Sequence, residues 1–290
     1  MKEKRNRKSK KTNQMKERWR RFRKSKTAML GLCLLIFVLS IAIFADVITP
    51  YENAISQSAD RLDSPSAAHI FGTDELGRDL FARIVHGSRY SLLIGVSTSV
   101  LALVIGGLLG AIAAYYGGWV DNIIMRLTDV VMTVPPILLS LAVVAALGGS
   151  LRNLLIAITI SCVPSMLRLV RSVVLGVVDE DYIEAARSYG ASDMRIILKY
   201  VIPNALGPII VTTTMNVANM ILSAAGLSFL SLGVQPPAPE WGALLSDAKT
   251  YMFTAPHLLY IPGIFIVIAA LSFNLAGDGL RDALDPKLKD

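Results

Sequence analysis

Thr212, Asn216, Asn219 and Ser223 recur at intervals of four, three and four residues inside an otherwise apolar run. An α-helix would carry all four on one stripe. Hydroxyls and carboxamides arranged this way could line a hydrated path for a polar solute. They could equally hydrogen-bond neighbouring helices, for about 0.6 kcal/mol each, and the residues alone leave both readings open. A second constellation is charged: Asp179-Glu180-Asp181-Tyr182-Ile183-Glu184-Ala185-Ala186-Arg187-Ser188-Tyr189-Gly190. Acidic residues before Tyr182 favour a helix amino end, the small pair Ala185 and Ala186 permits close approach by a partner, and Gly190 suits a helix stop. A further helical stretch, Ser192 to Tyr200, is expected to end before Pro203. The pattern predicts a compact, polar, helical projection, against the plainer reading of a connecting loop.

The catalytic inventory is thin. No G-x-x-x-x-G-K-[ST] motif occurs, so the phosphate-cradling loop of a P-loop ATPase is missing. His69, His86 and His257 are too far apart in sequence for a local metal pair, and neither H-E-x-x-H nor G-x-S-x-G is present. Cys33 and Cys162 both fall in apolar blocks and read as packing residues rather than a disulfide or thiolate site. The chain is therefore read as a non-enzyme that binds no metal or cofactor of its own.

The elements that must position these residues follow from composition. The chain has 290 residues, 53% apolar against 18% charged, with a mean hydropathy of +0.52. That is far from a water-soluble domain. The apolar residues collect into blocks of about 20, the length that crosses the hydrocarbon of a bilayer. Six spans are expected: Ala28 to Ala45, Ser91 to Tyr115, Leu127 to Leu147, Leu154 to Val178, Leu206 to Leu232, and Leu258 to Ala276. The first is long for a signal-peptide core and reads as a retained anchor. Within the second, Gly106 and Gly110 form a G-x-x-x-G pair that would admit another helix backbone. In the third, Asp129 is expected to pair locally with Arg126, and Pro135-Pro136 to kink the helix.

Charge sets the orientation. Residues 1–26 hold 14 Lys or Arg against Glu3 and Glu17, and the rest of the chain is net negative. A basic segment beside an apolar helix meets anionic lipid and stays cytoplasmic; without aromatic or motif support, nucleic acid is not expected as a partner. With the amino terminus inside, inner segments collect 23 of the 29 Lys and Arg, leaving Arg61, Arg78, Arg83, Arg89, Arg152 and Lys249 outside. The resulting organisation is a basic cytoplasmic tail (1–26), a first transmembrane helix (27–45) and an extracytoplasmic segment (46–90). A five-helix transmembrane core (91–280) contains the cytoplasmic loop 179–204, and a cytoplasmic tail (281–290) follows.

Glu184-Ala185-Ala186, Gly190 and the Ile202-Pro203 ending resemble the E-A-A loop of ABC importer permeases. Tyr200 and Ile202 depart from the family pattern of Ile and Leu, both conservatively in apolar character. In that family the loop forms a coupling helix that docks into a cleft of a separate ATP-hydrolysing subunit. The resemblance thus implies coupling roles for Glu184, Ala185, Ala186, Arg187, Gly190 and Pro203, with ATP and Mg2+ held by partner subunits. Three further stretches are similar to the C-type permease subunit of the dipeptide, oligopeptide and nickel branch: Phe71 to Asp79, Leu230 to Pro237 with Glu240-Trp241-Gly242, and Gly277 to Pro286. The resemblance spans about Thr27 to Leu288 and leaves the basic tail unexplained.

What it implies is an all-α membrane protein of the type I ABC importer permease fold, with six transmembrane helices and both termini cytoplasmic. Its expected partners are a homologous B-type permease, two ABC ATPase subunits, an extracytoplasmic solute-binding protein and the lipid bilayer. Its expected place is a bacterial or archaeal plasma membrane. Peptide is the expected cargo, with Thr212, Asn216, Asn219 and Ser223 along the path; nickel or a metal chelate is the alternative. A self-contained secondary transporter is the rival class, and it would commonly show intramembrane carboxylates or inverted repeats.

Overall fold

Capping side chains mark where the apolar runs become helices. Ser25 Oγ accepts from the Ala28 amide at 3.3 Å and opens α1, Lys26–Ile43. Asp79 Oδ1 accepts from the Ala82 amide at 2.8 Å and opens α2, Leu80–Tyr116, which stops at Gly117 with φ +60°. Next come α3, Gly118–Met132, and α4, Pro136–Leu147, then α5, Leu151–Val178, capped by Ser150. Two short helices follow, α6 at Asp181–Ser188 and α7 at Asp193–Ile196, and a π-helical turn at Ile197–Val201 leads into α8, Ile202–Phe229. Glu240 caps α9, Trp241–Ala248, and α10 is His257–Leu284. The computed structural model describes residues 16–17, 19–57 and 59–284. Most of the expected basic tail, and residues 285–290 of the expected carboxyl-terminal tail, lie outside the described residues. Among the described residues there is no strand, only an isolated bridge between Thr73 and Asp79.

Five helices are long and apolar enough to cross a membrane, or six if the α3–α4 pair counts as one span. That pair bends by 81° at Pro135-Pro136, so the expected kink is a break. Pro136 lacks an amide hydrogen and suits only the first turn of a new helix. The second span starts at Leu80, not Ser91, because Arg83, His86, Ser88 and Arg89 are not loop residues. His86 Nε2 sits 2.8 Å from Thr49 O and Arg89 Nε donates to Ala42 O at 2.7 Å, so their polar ends are satisfied across the fold. Nor does a helix end before Pro203. The π turn lets the Ile202 amide reach Ile197 O, and Pro203 takes the opening turn of α8, where proline is tolerated.

The G-x-x-x-G pair does bring two backbones together. A Cβ on Gly106 would stand 2.7 Å from Val163 O, and one on Gly110 would strike Leu167 O, both on α5. Elsewhere, Asp129 bonds Arg168 of α5 rather than Arg126, and Asp121 holds Arg171 by two hydrogen bonds of 2.5 Å, so α3 is clasped to α5 by ion pairs. Apolar cores join α1, α2, α8, α9 and α10 around Trp241, and α2, α5, α7 and α8 around Met166 and Ile196. Leu93, Val100, Val104 and Leu108 on α2, with Leu127, Val130 and Leu138 beyond it, stay exposed. Apolar side chains this large and this many suit hydrocarbon or another apolar surface.

Segment 46–79 folds back over one end of the bundle, and a buried ion cluster holds it. Asp74 accepts from the amides of Leu76 (2.8 Å) and Arg78 (2.9 Å), pairs with Arg78 Nε at 2.6 Å, and also pairs with Arg83. Arg83 further reaches Asp247 of α9 at 3.6 Å. Glu240, almost wholly buried, accepts from the Gly242 and Ala243 amides at 2.9 Å each and from Ser91 Oγ at 3.3 Å. Trp241 Nε1 donates to Ile84 O at 2.9 Å. The stretches Phe71 to Asp79 and Glu240-Trp241-Gly242 thus meet in one polar assembly at this end.

Candidate functional site

At the opposite end of the bundle lie the carboxyl end of α2, the helices α6 and α7, and the start of α8. Ala28 touches Gly279 there, so the start of α1 and the end of α10 gather at that end too. The sequence between α5 and α8 folds as a helical projection. Asp181 and Glu184 stand in the first turn of α6 and Arg187 in the last, each favourable to the helix dipole. Gly190, with φ +74°, turns the chain toward α7 in a conformation that other residues rarely adopt.

One face of this projection is anchored. Ile183 and Ile196 are fully buried against α2, α5 and α8. Tyr115, near the end of α2, donates to Asp193 Oδ1 at 2.6 Å, and the Arg187 guanidinium lies over its ring at 5.3 Å. The other face points outward: Tyr182, Glu184, Ala185, Met194 and Leu198 are exposed and Tyr189 is 92% exposed, whereas Arg187, also exposed, is engaged with Tyr115. Burial raises the Tyr182 hydroxyl above its ordinary value of 10.0, with Glu180 adding to the effect. Of the residues read as a coupling set, Glu184, Ala185 and Gly190 share this exposed surface, Arg187 is exposed but turned toward Tyr115, Ala186 is half-buried, and Pro203 stands in the first turn of α8. Tyr115, Ile183 and Asp193 hold the projection in place, and no local pattern in the sequence marks them for it. Tyr115 ended an apolar block and carried no local sign that its hydroxyl meets a carboxylate 78 positions away.

The four-residue stripe divides. Asn216 and Ser223 face a cavity of about 130 Å3 between α4, α5 and α8, whose wall also holds Ser140, Ser161, Cys162 and Ser165. Thr212 and Asn219 lie outside that wall, and Asn219 is exposed. Asn216 Nδ2 donates to Cys162 Sγ at 3.2 Å, and Ser140 Oγ donates to Ser161 Oγ at 2.8 Å. The serines of α4 and α5 gave little sequence signal, since a lone serine at i−4 from a carbonyl is ordinary in an apolar helix. Among the described residues no group of three or more His, Cys, Asp or Glu is placed to hold a metal ion.

Residues 106–290 match the family described as binding-protein-dependent transport system inner membrane component, and residues 13–65 match the N-terminal transmembrane domain of oligopeptide transport permease C. A dipeptide transport system permease protein of Alkalihalophilus pseudofirmus is 47% identical over 274 residues, covering 94% of this chain and 90% of the relative. A glutathione transport system permease protein of Pectobacterium atrosepticum is 44% identical over 275 residues, covering 94% and 91%. Its counterpart from Escherichia coli O157:H7 is 47% identical over 274 residues, covering 94% and 90%. In fold, the chain is similar to the inward-facing MetNI methionine ABC transporter in its CY5 native crystal form. The TM-score is 0.59 at 19% identity, over 71% of this chain and 98% of that one.

Proposed function

Because the chain belongs to the family of binding-protein-dependent transport system inner membrane components, we propose that it is one permease half of an ATP-driven peptide importer. The named cargoes of its relatives, dipeptides and glutathione, are short peptides, and that shared chemistry favours peptide over nickel or a metal chelate. In this reading a homologous permease completes the path, two ATPase subunits hold ATP and Mg2+, and an extracytoplasmic binding protein delivers the solute. The relatives are bacterial, which favours a bacterial plasma membrane, and the cation count favours cytoplasmic termini.

One observation carries the coupling: α6 presents Tyr182, Glu184 and Ala185 outward, while buried Ile183 and the Arg187 guanidinium over Tyr115 hold its other face, and the Tyr115–Asp193 hydrogen bond ties the adjoining α7 to the end of α2. A helix held that way acts as a rigid lever. Force from an ATPase that closes around nucleotide would reach α2, α5 and α8 together, shifting the spans between inward-open and outward-open populations. Gly190 fixes the angle of the lever, and Glu184 and Arg187 supply polar contacts to the docking cleft.

The test is the reconstituted importer in vesicles, with binding protein added. Gly190→Val strains a positive-φ position and Glu184→Ala removes an outward carboxylate. Both are expected to leave nucleotide hydrolysis running while ATP-dependent peptide uptake falls about 5- to 150-fold, the size of a lost coupling free energy of about 1–3 kcal/mol. Uptake and hydrolysis both matching the unmodified complex would remove α6 from the mechanism. Uptake driven by a proton gradient, with no partner ATPase present, would favour a secondary transporter instead.

A further inference from the structure

The cavity between α4, α5 and α8 has a polar wall without a charge: Ser140, Ser161, Cys162, Ser165, Asn216 and Ser223. Its volume of about 130 Å3 gives room for several ordered waters or one small fragment of a solute. Most of its hydroxyl hydrogens are already used inside the bundle. Ser161 Oγ donates to Ala157 O at 3.0 Å and Ser165 Oγ to Cys162 O at 2.8 Å, which leaves these oxygens as acceptors.

Asn216 differs from them. Its only side-chain hydrogen bond among the described residues runs from Nδ2 to a thiol sulfur, a weak acceptor, so the carboxamide oxygen and the second amide hydrogen have no partner among them. The Ser223 hydroxyl likewise makes no hydrogen bond among the described residues, though it shares the cavity wall. A carboxamide offers one donor and one acceptor side by side, which is the complement of a peptide group. Burying a charged terminus here would leave it without a counter-ion, at a large cost.

We infer that this cavity receives one uncharged peptide group of the cargo, with Asn216 exchanging hydrogen bonds with its N–H and C=O and Ser223 beside it. The inference rests on the peptide-importer reading and adds to it which part of the solute this chain recognises. Charged termini stay in the open path, and the neutral backbone is what Asn216 reads.

The experiment compares dialanine with its ester-linked analogue, which keeps the shape but lacks the peptide N–H, in vesicles carrying the full importer and binding protein. Asn216→Leu is expected to lower dialanine uptake about tenfold, as for a site left with unmet hydrogen bonds, while uptake of the ester falls far less. The binding protein is the same in every arm, so the change in amide-to-ester ratio reports on the permease. An assembled variant with an unchanged ratio overturns the inference. A second readout needs no Asn216 variant: in a Cys33→Ala complex, dialanine should slow alkylation of Cys162 by N-ethylmaleimide, and equal rates with and without it also overturn the inference. If the unmodified complex takes up neither compound with ATP, the peptide-importer reading falls and takes this one with it.

Discussion

At the scale of single residues, two buried carboxylates at the same end of the bundle behave in opposite ways. Burial disfavours the charged form of both. For Asp74 the charges of Arg83 and Arg78, with the amides of Arg78 and Leu76, more than offset this and hold the pKa below its ordinary 3.8. For Glu240, burial dominates over the amides of Gly242 and Ala243 and the pKa is raised. A depressed carboxylate pKa stabilises the fold fully above the ordinary value, and the contribution is lost as pH falls through the folded value. Asp74→Asn should therefore lower thermal stability strongly near neutral pH, by about 3–5 kcal/mol, because Arg83 and Arg78 are left buried without their partner. Unfolding of the detergent-solubilised chain checks this. The gap between variant and unmodified protein should narrow below pH 3.8, and a gap constant with pH would refute the assignment. The Phe71 to Asp79 stretch was legible as a motif, yet its ion pairing was not, since Asp247 joins from a segment far along the chain.

At the scale of elements, the α2–α5 contact is set by backbone proximity. Gly110 faces Leu167 O and the Arg171 amide of α5, whereas a Cβ on Gly107 would meet nothing closer than Leu103 Cδ1 at 3.4 Å. Gly110→Val should thus cost about 1–3 kcal/mol or more through overpacking, while Gly107→Ala is tolerated. Melting temperatures of the two variants decide it, and equal values would contradict the close approach. The G-x-x-x-G spacing was readable because two glycines four apart face one side of any helix. The break between α3 and α4 and the π turn before α8 were less so. Both depend on how a proline is accommodated, and that follows from the packing around it.

At the scale of the whole molecule, the start of α1, the end of α2, the α6–α7 projection and the end of α10 share one end, while segment 46–79 and α9 cover the other. If the charge distribution sets topology, the first end faces the cytoplasm. Tyr189→Cys, in a chain also carrying Cys33→Ala and Cys162→Ala, places a thiol at a position that is 92% exposed. A membrane-impermeant maleimide should label it in inside-out vesicles and fail on intact cells. Labelling confined to intact cells would reverse the topology and detach α6 from any cytoplasmic ATPase.

By itself the sequence determined the things that depend on neighbours along the chain: apolar blocks long enough for a bilayer, the charge bias, the helical stripe, and the Glu184 to Gly190 projection. Hydropathy, helix period and turn chemistry act within a few residues, so they can be read there. Tertiary structure alone decided that Arg83, His86 and Arg89 belong inside a helix, that Tyr115 clamps Asp193, and that Asn216 shares a cavity with Ser140 and Ser161. Each of these rests on a partner supplied from a distant part of the chain. A polar side chain reads as loop or as core only once the group that satisfies it is in place.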